Sequence, residues 1–259
     1  MKKIITLILG IALVYGCSTN SDSNESSNSI GLLPKTYYSS SGETVNLYYN
    51  GNKIVSSGNE NYTYNGNLIA SSGYTNDPSI NPNGYNQTQN YNYTNSILTS
   101  INYFSSMANY TITFTYNLDG SISENRTYSN GTVYEIYYKR YYSQGNCIKE
   151  EEFRRINGVW TLQYTTTSTF DNKNGPFNNI LGFPELFRPR RGYKNNETGF
   201  IIKNGLGQIT NTNQKTHIYN SENYPIQIAS TTTNYSVNPQ TGVSTPGIPT
   251  TENITITYY

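Results

Sequence analysis

Short runs in which large apolar and small polar side chains alternate recur along this chain. In Tyr110-Thr-Ile-Thr-Phe-Thr-Tyr116 and Ile254-Thr-Ile-Thr-Tyr258 the alternation is strict, the pattern of a strand with one face buried. Asn and Gly steps punctuate the runs, and both residues tolerate the positive φ that tight hairpin loops need. The clearest unit is Tyr62-Thr-Tyr-Asn-Gly-Asn-Leu-Ile69, and Leu47-Tyr-Tyr-Asn-Gly-Asn-Lys-Ile54 repeats it with the turn glycine 15 residues earlier. An Asn65-Gly66 loop of type I′ sets Tyr62 opposite Ile69, and the same geometry sets Leu47 opposite Ile54. Both apolar pairs then share one face, as a common core requires. Looser copies lie at 91–97, 114–122, 141–148 and 219–226.

This periodicity predicts an all-β fold: a long antiparallel meander of β-hairpin repeats running from 37 to 259, with roughly ten to fourteen strands at common strand lengths. The meander forms a curved open half-barrel or closes into a soluble barrel. A transmembrane barrel ranks behind both, because the outward positions read Thr, Asn and Lys rather than an apolar band. An irregular insert at about 170–200 breaks the pattern, since Pro176, Pro184 and Pro189 exclude a regular central strand. Within it, 179–187 is the most apolar stretch after the N-terminus. It predicts a loop with room for a helical turn, covering one opening or face of the sheet. Residues 236–250 predict a second excursion, between strands near Thr231 and Ile254.

Composition agrees with strands rather than disorder. The chain has 27 Tyr, 8 Phe and 1 Trp, whereas disordered segments are poor in aromatics. The N-terminus carries the clearest placement signal. Lys2 and Lys3 precede an apolar run from Ile4 to Tyr15, and Gly16-Cys17 follows. A run this short is a secretion signal rather than a membrane span. The ending resembles the lipobox of bacterial lipoproteins. The likeness implies a signal peptide at 1–16, lipidation of Cys17 and a membrane reached through that lipid. Residues 17–36 form a Ser/Asn-rich tether. Its Asp22 and Glu25 resemble the acidic export signal of surface lipoproteins in Bacteroidetes, which leaves the periplasmic and cell-surface sides both open. Loss of the two leading lysines leaves 15 basic against 16 acidic residues, a balance with no footprint for nucleic acid.

The aromatic-x-Tyr strand, Asn/Gly turn and Asn-x-Ile step together resemble the tyrosine-aspartate repeats of Rhs-type surface proteins. More closely, the chain resembles flavobacterial-type Bacteroidetes lipoproteins of unknown function, in which such hairpins form a porin-like meander domain. The segment Phe170-Asp-Asn-Lys-Asn-Gly-Pro-Phe-Asn-Asn-Ile-Leu-Gly182 contains a step of the same kind, D-x-K-x-x-P-F-x-N. Asn50 and Asn65 stand where those repeats more often carry Asp. The resemblance implies an outer-membrane lipoprotein with a porin-like barrel.

Little in the chain points to catalysis. His217 is the single histidine, in an alternating run where an ordinary strand residue is expected, and no metal-binding spacing or cofactor motif is present. Cys147 reads as a buried structural thiol. Asp171-Asn-Lys-Asn-Gly175 lacks an oxygen ligand at its third position, Lys173, and so is not a calcium loop. Glu150 and Glu152 share a strand face and read as a solvated charge ladder; a glycan hydrolase would have to draw its carboxylate pair from them. The candidate binding residues are Tyr48 and Tyr137, whose rings suit stacking on sugars, and Arg188, Arg190 and Arg191, which suit an anionic ligand. The sequence reading is therefore a non-enzymatic scaffold or a binding module for a glycan or protein. A hydrolase is the alternative.

Overall fold

The computed structural model describes residues 31–74, 87–106, 108–191 and 194–259, with the side chain of Arg191 excepted. The signal segment, Cys17 and most of the tether lie outside the described residues. Seventeen strands are defined among them. They are β1 (Pro34–Ser39), β2 (Thr44–Asn50), β3 (Lys53–Ser57), β4 (Glu60–Asn65), β5 (Leu68–Tyr74), β6 (Gln87–Thr94), β7 (Ile97–Ser105), β8 (Asn109–Tyr116) and β9 (Ile122–Tyr128). There follow β10 (Ile136–Ser143), β11 (Asn146–Ile156), β12 (Val159–Phe170), β13 (Glu197–Asn204), β14 (Ile209–Tyr219), β15 (Pro225–Val237), β16 (Ser244–Pro246) and β17 (Thr250–Tyr258). One helix, α1 (Phe183–Arg191), lies between β12 and β13.

Neighbouring strands pair antiparallel in chain order from β1 to β15. β17 then pairs with β15 on one side and β1 on the other, with Ile256 opposite Tyr37. The sheet is thus a closed barrel of sixteen strands, and β16 is a short flap on the end of β15. Closure replaces the open half-barrel expected as one alternative. The strand number exceeds the expected range because strands of five to nine residues follow one another closely from β1 to β10 and because both ends of the pattern contribute. Pairing starts at Pro34, inside the expected tether, where Leu33 is already buried in the core. The excursion at 236–250 contributes β16.

The hairpin register differs from the sequence expectation by one residue. Asn65 pairs with Leu68 and Tyr64 with Ile69, so the loop is Gly66-Asn67. Gly66 has φ +60°, and Asn67 is absent from the positive-φ positions, the pattern of a type II′ turn with Gly first. Gly51-Asn52 repeats this, with Tyr49 opposite Ile54. A bulge follows each turn, skipping Val55 and Ala70, so Leu47 ends opposite Ser57 and Tyr62 opposite Ser72. The bulge compensates the slip: Leu47, Ile54 and Ile69 still face inward and are almost fully buried. Type I′ geometry, with both loop residues at positive φ, occurs instead at Asn95-Ser96, Gln144-Gly145 and Asn157-Gly158.

The register unifies four hairpins. Tyr49 with Ile54, Tyr64 with Ile69, Tyr93 with Leu98, and Tyr142 with Cys147 are equivalent inward pairs beside a two-residue turn, each followed by a bulge. Cys147 therefore takes the place of Ile54, which explains its burial. Some of the tyrosine hydroxyls reach along the wall to backbone. Tyr64 accepts from the Ile54 N–H at 3.0 Å and donates to the Leu181 carbonyl at 3.0 Å, and Tyr116 donates to the Leu98 carbonyl at 2.8 Å.

These turns, the 171–196 connection, Gly31 and Tyr259 all lie at one end of the barrel, the base. The opposite end, the mouth, carries the connections at 40–43, 129–135, 157–158 and 205–208. From the base, 177–190 rises into the lumen. Pro184 and Glu185 suit a first helical turn, by fixed φ and by charge at the positive end of the helix. Phe177, Ile180, Phe183 and Leu186 are buried against inward residues of the β1–β9 wall. Phe177 stacks on Tyr37 with ring centroids 5.3 Å apart, and Phe183 lies 6.1 Å from Tyr62. Each such side chain contributes about 1.5–3 kcal/mol by burial. The expected cover over one opening is thus an interior plug.

On the outer wall, Thr88, Asn90, Asn92 and Thr94 of β6, Thr111, Thr113 and Thr115 of β8, and Thr251, Asn253, Thr255 and Thr257 of β17 point away from the core. On these three strands the Thr/Asn rows suit water rather than acyl chains, whereas Tyr48, Val55, Phe104 and Trp160 are exposed elsewhere.

Two stability outcomes follow. Leu186→Ala opens a cavity in the plug and should cost about 2–5 kcal/mol in urea unfolding. Gly182 has φ +78°, and a Cβ there would come within 2.8 Å of the Asn67 carbonyl oxygen, so Gly182→Ala should cost about 1–3 kcal/mol, read as a lowered Tm.

Candidate functional site

The top of the plug meets a charged cluster on the inner wall. Arg140 of β10 is buried between two carboxylates, Glu124 of β9 (Nη1–Oε2 2.8 Å) and Glu150 of β11 (Nε–Oε2 2.7 Å). Its Nη1 also donates to the Pro189 carbonyl at 3.1 Å, satisfying one of the carbonyls that a helix C-terminus leaves without an internal partner. Burial pulls the Glu124 carboxyl upward, but Arg140, Arg126 and Arg190 outweigh it and hold the group below its ordinary value. Glu150 is therefore not part of a solvated ladder as its sequence neighbours imply: cross-strand Arg140 takes it out of water. Glu152 is less buried, and desolvation raises its pKa, with the nearby Glu150 charge adding to the shift against the pull of Arg154.

Above this cluster the inward face becomes aromatic. Tyr103 of β7 stacks on Tyr110 of β8 with centroids 4.3 Å apart and planes 16° apart. Tyr128 of β9 meets Tyr110 edge-on at 6.3 Å, and Tyr134 meets Tyr128 at 5.7 Å. The Arg126 guanidinium lies 5.7 Å from the Tyr110 ring and 5.8 Å from the Tyr134 ring, and Glu124 holds it at 3.2 Å. Each of these four rings is partly exposed. Tyr74, opposite Glu60 on β4, extends the arc. Burial raises the Tyr74, Tyr110 and Tyr138 hydroxyls above their ordinary value, so the mouth presents neutral phenols at physiological pH. Flat rings with polar tips around a fixed cation can stack on a ligand and orient it by hydrogen bonds.

The far half of the lumen is polar. Lys215 pairs with Glu197 at 2.5 Å, and Asn213 donates to Ser230 and Thr232 at 2.9 and 2.8 Å. Asp171 accepts from the backbone N–H groups of Lys173 and Asn196 at 2.9 and 3.0 Å and from the Tyr219 hydroxyl, which commits its carboxylate to holding the 171–196 connection. His217 stacks beside Tyr219, and burial lowers its pKa.

The sequence candidates do not converge. Arg190 lies close enough to Tyr91, Tyr110 and Glu124 to shift their titration, which places it below the mouth. Arg188 is exposed at the base, and the side chain of Arg191 lies outside the described residues. Tyr48 is on the outer wall, 55% exposed. Tyr137 is outside as well, stacked on Phe153 at 4.6 Å and met edge-on by Trp160 at 4.8 Å. The mouth residues Tyr103, Tyr110, Tyr128, Tyr134 and Arg126 were missed, although the alternation Tyr110-Thr-Ile112-Thr-Phe114 already puts Tyr110 on the same face as two core residues.

No protein-family model matches the chain, and no curated protein matches it. Among solved structures, the chain is similar to a porin-like protein from Bacteroides vulgatus ATCC 8482, with 14% sequence identity, a TM-score of 0.57 and coverage of 88% of this chain and 99% of that one. A porin-like protein from Bacteroides uniformis ATCC 8492 has 12% identity and a TM-score of 0.45, covering 86% of each chain. The first likeness carries the fold: an all-β antiparallel meander closed into a barrel.

The Arg140 cluster has a measurable signature. Glu124 has a depressed folded-state pKa, so its contribution to stability is present above the unfolded value of about 4.3 and is lost as pH falls through the folded value. Stability followed by urea unfolding should fall as pH drops below that point. Arg140→Ala leaves buried carboxylates without their cation and should cost about 3–5 kcal/mol at neutral pH. The loss should shrink as acid neutralises the carboxylates.

Proposed function

We propose that the protein is a lipid-anchored outer-membrane lipoprotein whose barrel is a non-enzymatic binding module for a glycan, held at the tyrosine-lined mouth. The observation that carries this reading is the arc of Tyr103, Tyr110, Tyr128 and Tyr134 around Arg126. Orientation supports it. The chain enters the barrel at the base, where the Tyr259 N–H donates to the Leu33 carbonyl at 3.0 Å. An anchor at Cys17 would tether that end and leave the mouth facing away from the lipid. The Thr/Asn rows of β6, β8 and β17 favour a barrel held beside a membrane by a lipid over one spanning it.

The hydrolase alternative loses ground on the same geometry. Glu150 is committed to the buried Arg140 guanidinium that it shares with Glu124, which leaves Glu152 without the second carboxylate that a hydrolase would need. A protein ligand is the second reading, favoured by the Tyr137, Phe153 and Trp160 rings gathered on the outer wall.

A glycan array probed with the full chain tests the proposal. Tyr134→Ala, in a connection rather than a strand, should lower affinity for the best glycan at least about tenfold, or ~1.4 kcal/mol. Trp160→Ala should leave that affinity unchanged. A blank array, or glycan binding that follows Trp160 instead of Tyr134, would overturn the assignment.

A further inference from the structure

Arg126 is the charged member of the tyrosine arc, and its guanidinium is only partly used. A guanidinium carries five N–H donors in one rigid plane. Here Nε and Nη2 both donate to a single oxygen, Glu124 Oε1, at 3.3 and 3.2 Å. The remaining N–H groups, two on Nη1 and one on Nη2, have no hydrogen-bond partner among the described residues. One from each nitrogen makes up the end edge of the fork, which can take a carboxylate in two parallel bonds. The rings of Tyr110 and Tyr134, 5.7 and 5.8 Å away, join Glu124 in fixing the direction of that edge. The side chain keeps 31% of its surface exposed, so solvent, and with it a ligand, reaches it.

The charge around Arg126 is close to balanced, and that limits the ligand. The other Glu124 oxygen goes to Arg140, whose Nε is taken by Glu150, so these four side chains sum to zero. Arg190 adds a positive charge near enough to act on Glu124 and Tyr110. Against it, Glu60, held by the Tyr62 hydroxyl at 2.8 Å, faces the same interior. Glu152 does so too, opposite Tyr138 and with Arg154 as its cation. A polyanion would meet those two carboxylates as well as the guanidiniums. A sugar chain with a single carboxylate can place that group on the open edge of Arg126 while its neutral remainder lies along the rings.

We propose that the glycan held at the mouth is acidic and carries one carboxylate, as in an oligosaccharide bearing a single uronic acid, with that carboxylate on the end edge of Arg126. The inference rests on the glycan reading above and names the sugar class within it. The division of labour is physical. Neutral phenols stack on any flat sugar face and discriminate little, whereas a fixed fork left with unpaired donors rejects an analogue that lacks the group it bonds. Arg126 is thus the specificity-determining residue, and the rings around it supply contact area.

An array carrying neutral, uronic-acid, sulfated and polysialylated oligosaccharides, probed with the full chain, is the first test. Binding should concentrate on sugars with one uronic acid. A blank array would overturn the glycan reading and this inference with it. Tyr134-dependent binding confined to neutral sugars would overturn the acidic class alone, and sulfated or polysialylated sugars that bind as tightly as the uronic-acid hit would overturn the single carboxylate. The tightest uronic-acid hit is then titrated by calorimetry beside its methyl ester, which keeps the sugar and removes the charge. Esterification should weaken binding to the unaltered protein roughly tenfold, the loss expected for one charge-assisted bond. Arg126→Gln should weaken the acid by the same factor and leave the ester little changed, and Arg126→Lys, which keeps the charge without the fork, should restore part of the loss. Equal affinity of the unaltered protein for acid and ester would overturn the proposal without recourse to any variant. Equal weakening of acid and ester by Arg126→Gln would overturn the contact and leave Arg126 a support for the rings.

Discussion

A barrel of sixteen strands is too wide for its own inward side chains to meet across the middle. Eight strands give an interior that side chains just fill, and doubling the number leaves a channel unless something else occupies it. Here the occupant is 177–190. Its aromatic and aliphatic residues pack on the β1–β9 wall, and the Pro189 carbonyl near its end is held by Arg140. The two halves of the lumen diverge from this arrangement: the wall that meets the plug is apolar up to the Arg140 cluster, and the half beyond it carries Lys215, Glu197 and Asn213. The plug also divides the interior lengthwise, separating the base from the mouth.

Sequence pattern made the wall legible and left the pairing across it obscure. Alternation identifies which residues point inward, because a strand has a period of two whatever its neighbour does. It cannot distinguish a Gly-Asn loop followed by a bulge from an Asn-Gly loop without one, since both leave Ile54 and Ile69 on the core face. Only the partners differ, with Tyr64 rather than Tyr62 opposite Ile69. Closure was hidden for a related reason. Whether β1 meets β17 depends on accumulated tilt and stagger around the wall, which no local stretch encodes.

The site was legible only in fragments. Arg190 was singled out for its charge, and the barrel sets it beneath the mouth. Tyr137 was singled out as a stacking ring, and parity sets it outside because it is one position from Arg140-facing Tyr138. The run Glu150-Glu-Glu152 looked solvated because its neighbours along the strand are charged. Its decisive partner, Arg140, lies across a hairpin, and Glu124 comes from the strand beyond. Cross-strand chemistry of this kind appears once register is fixed, and here register depends on bulges that composition does not announce.

The seam between β1 and β17 joins residues more than two hundred positions apart, with Tyr38 opposite Thr255. A chain emerging from its N-terminus has every other neighbour available early, hairpin by hairpin, but β1 must wait with one edge bare until the last strand arrives. The final closure is therefore the slow, entropically costly step, and the waiting edges are open to pairing with other chains. A chain stopped short of β17 would keep most of its hairpins and still leave two unpaired edges. Its fate would then be decided by self-association rather than by loss of core.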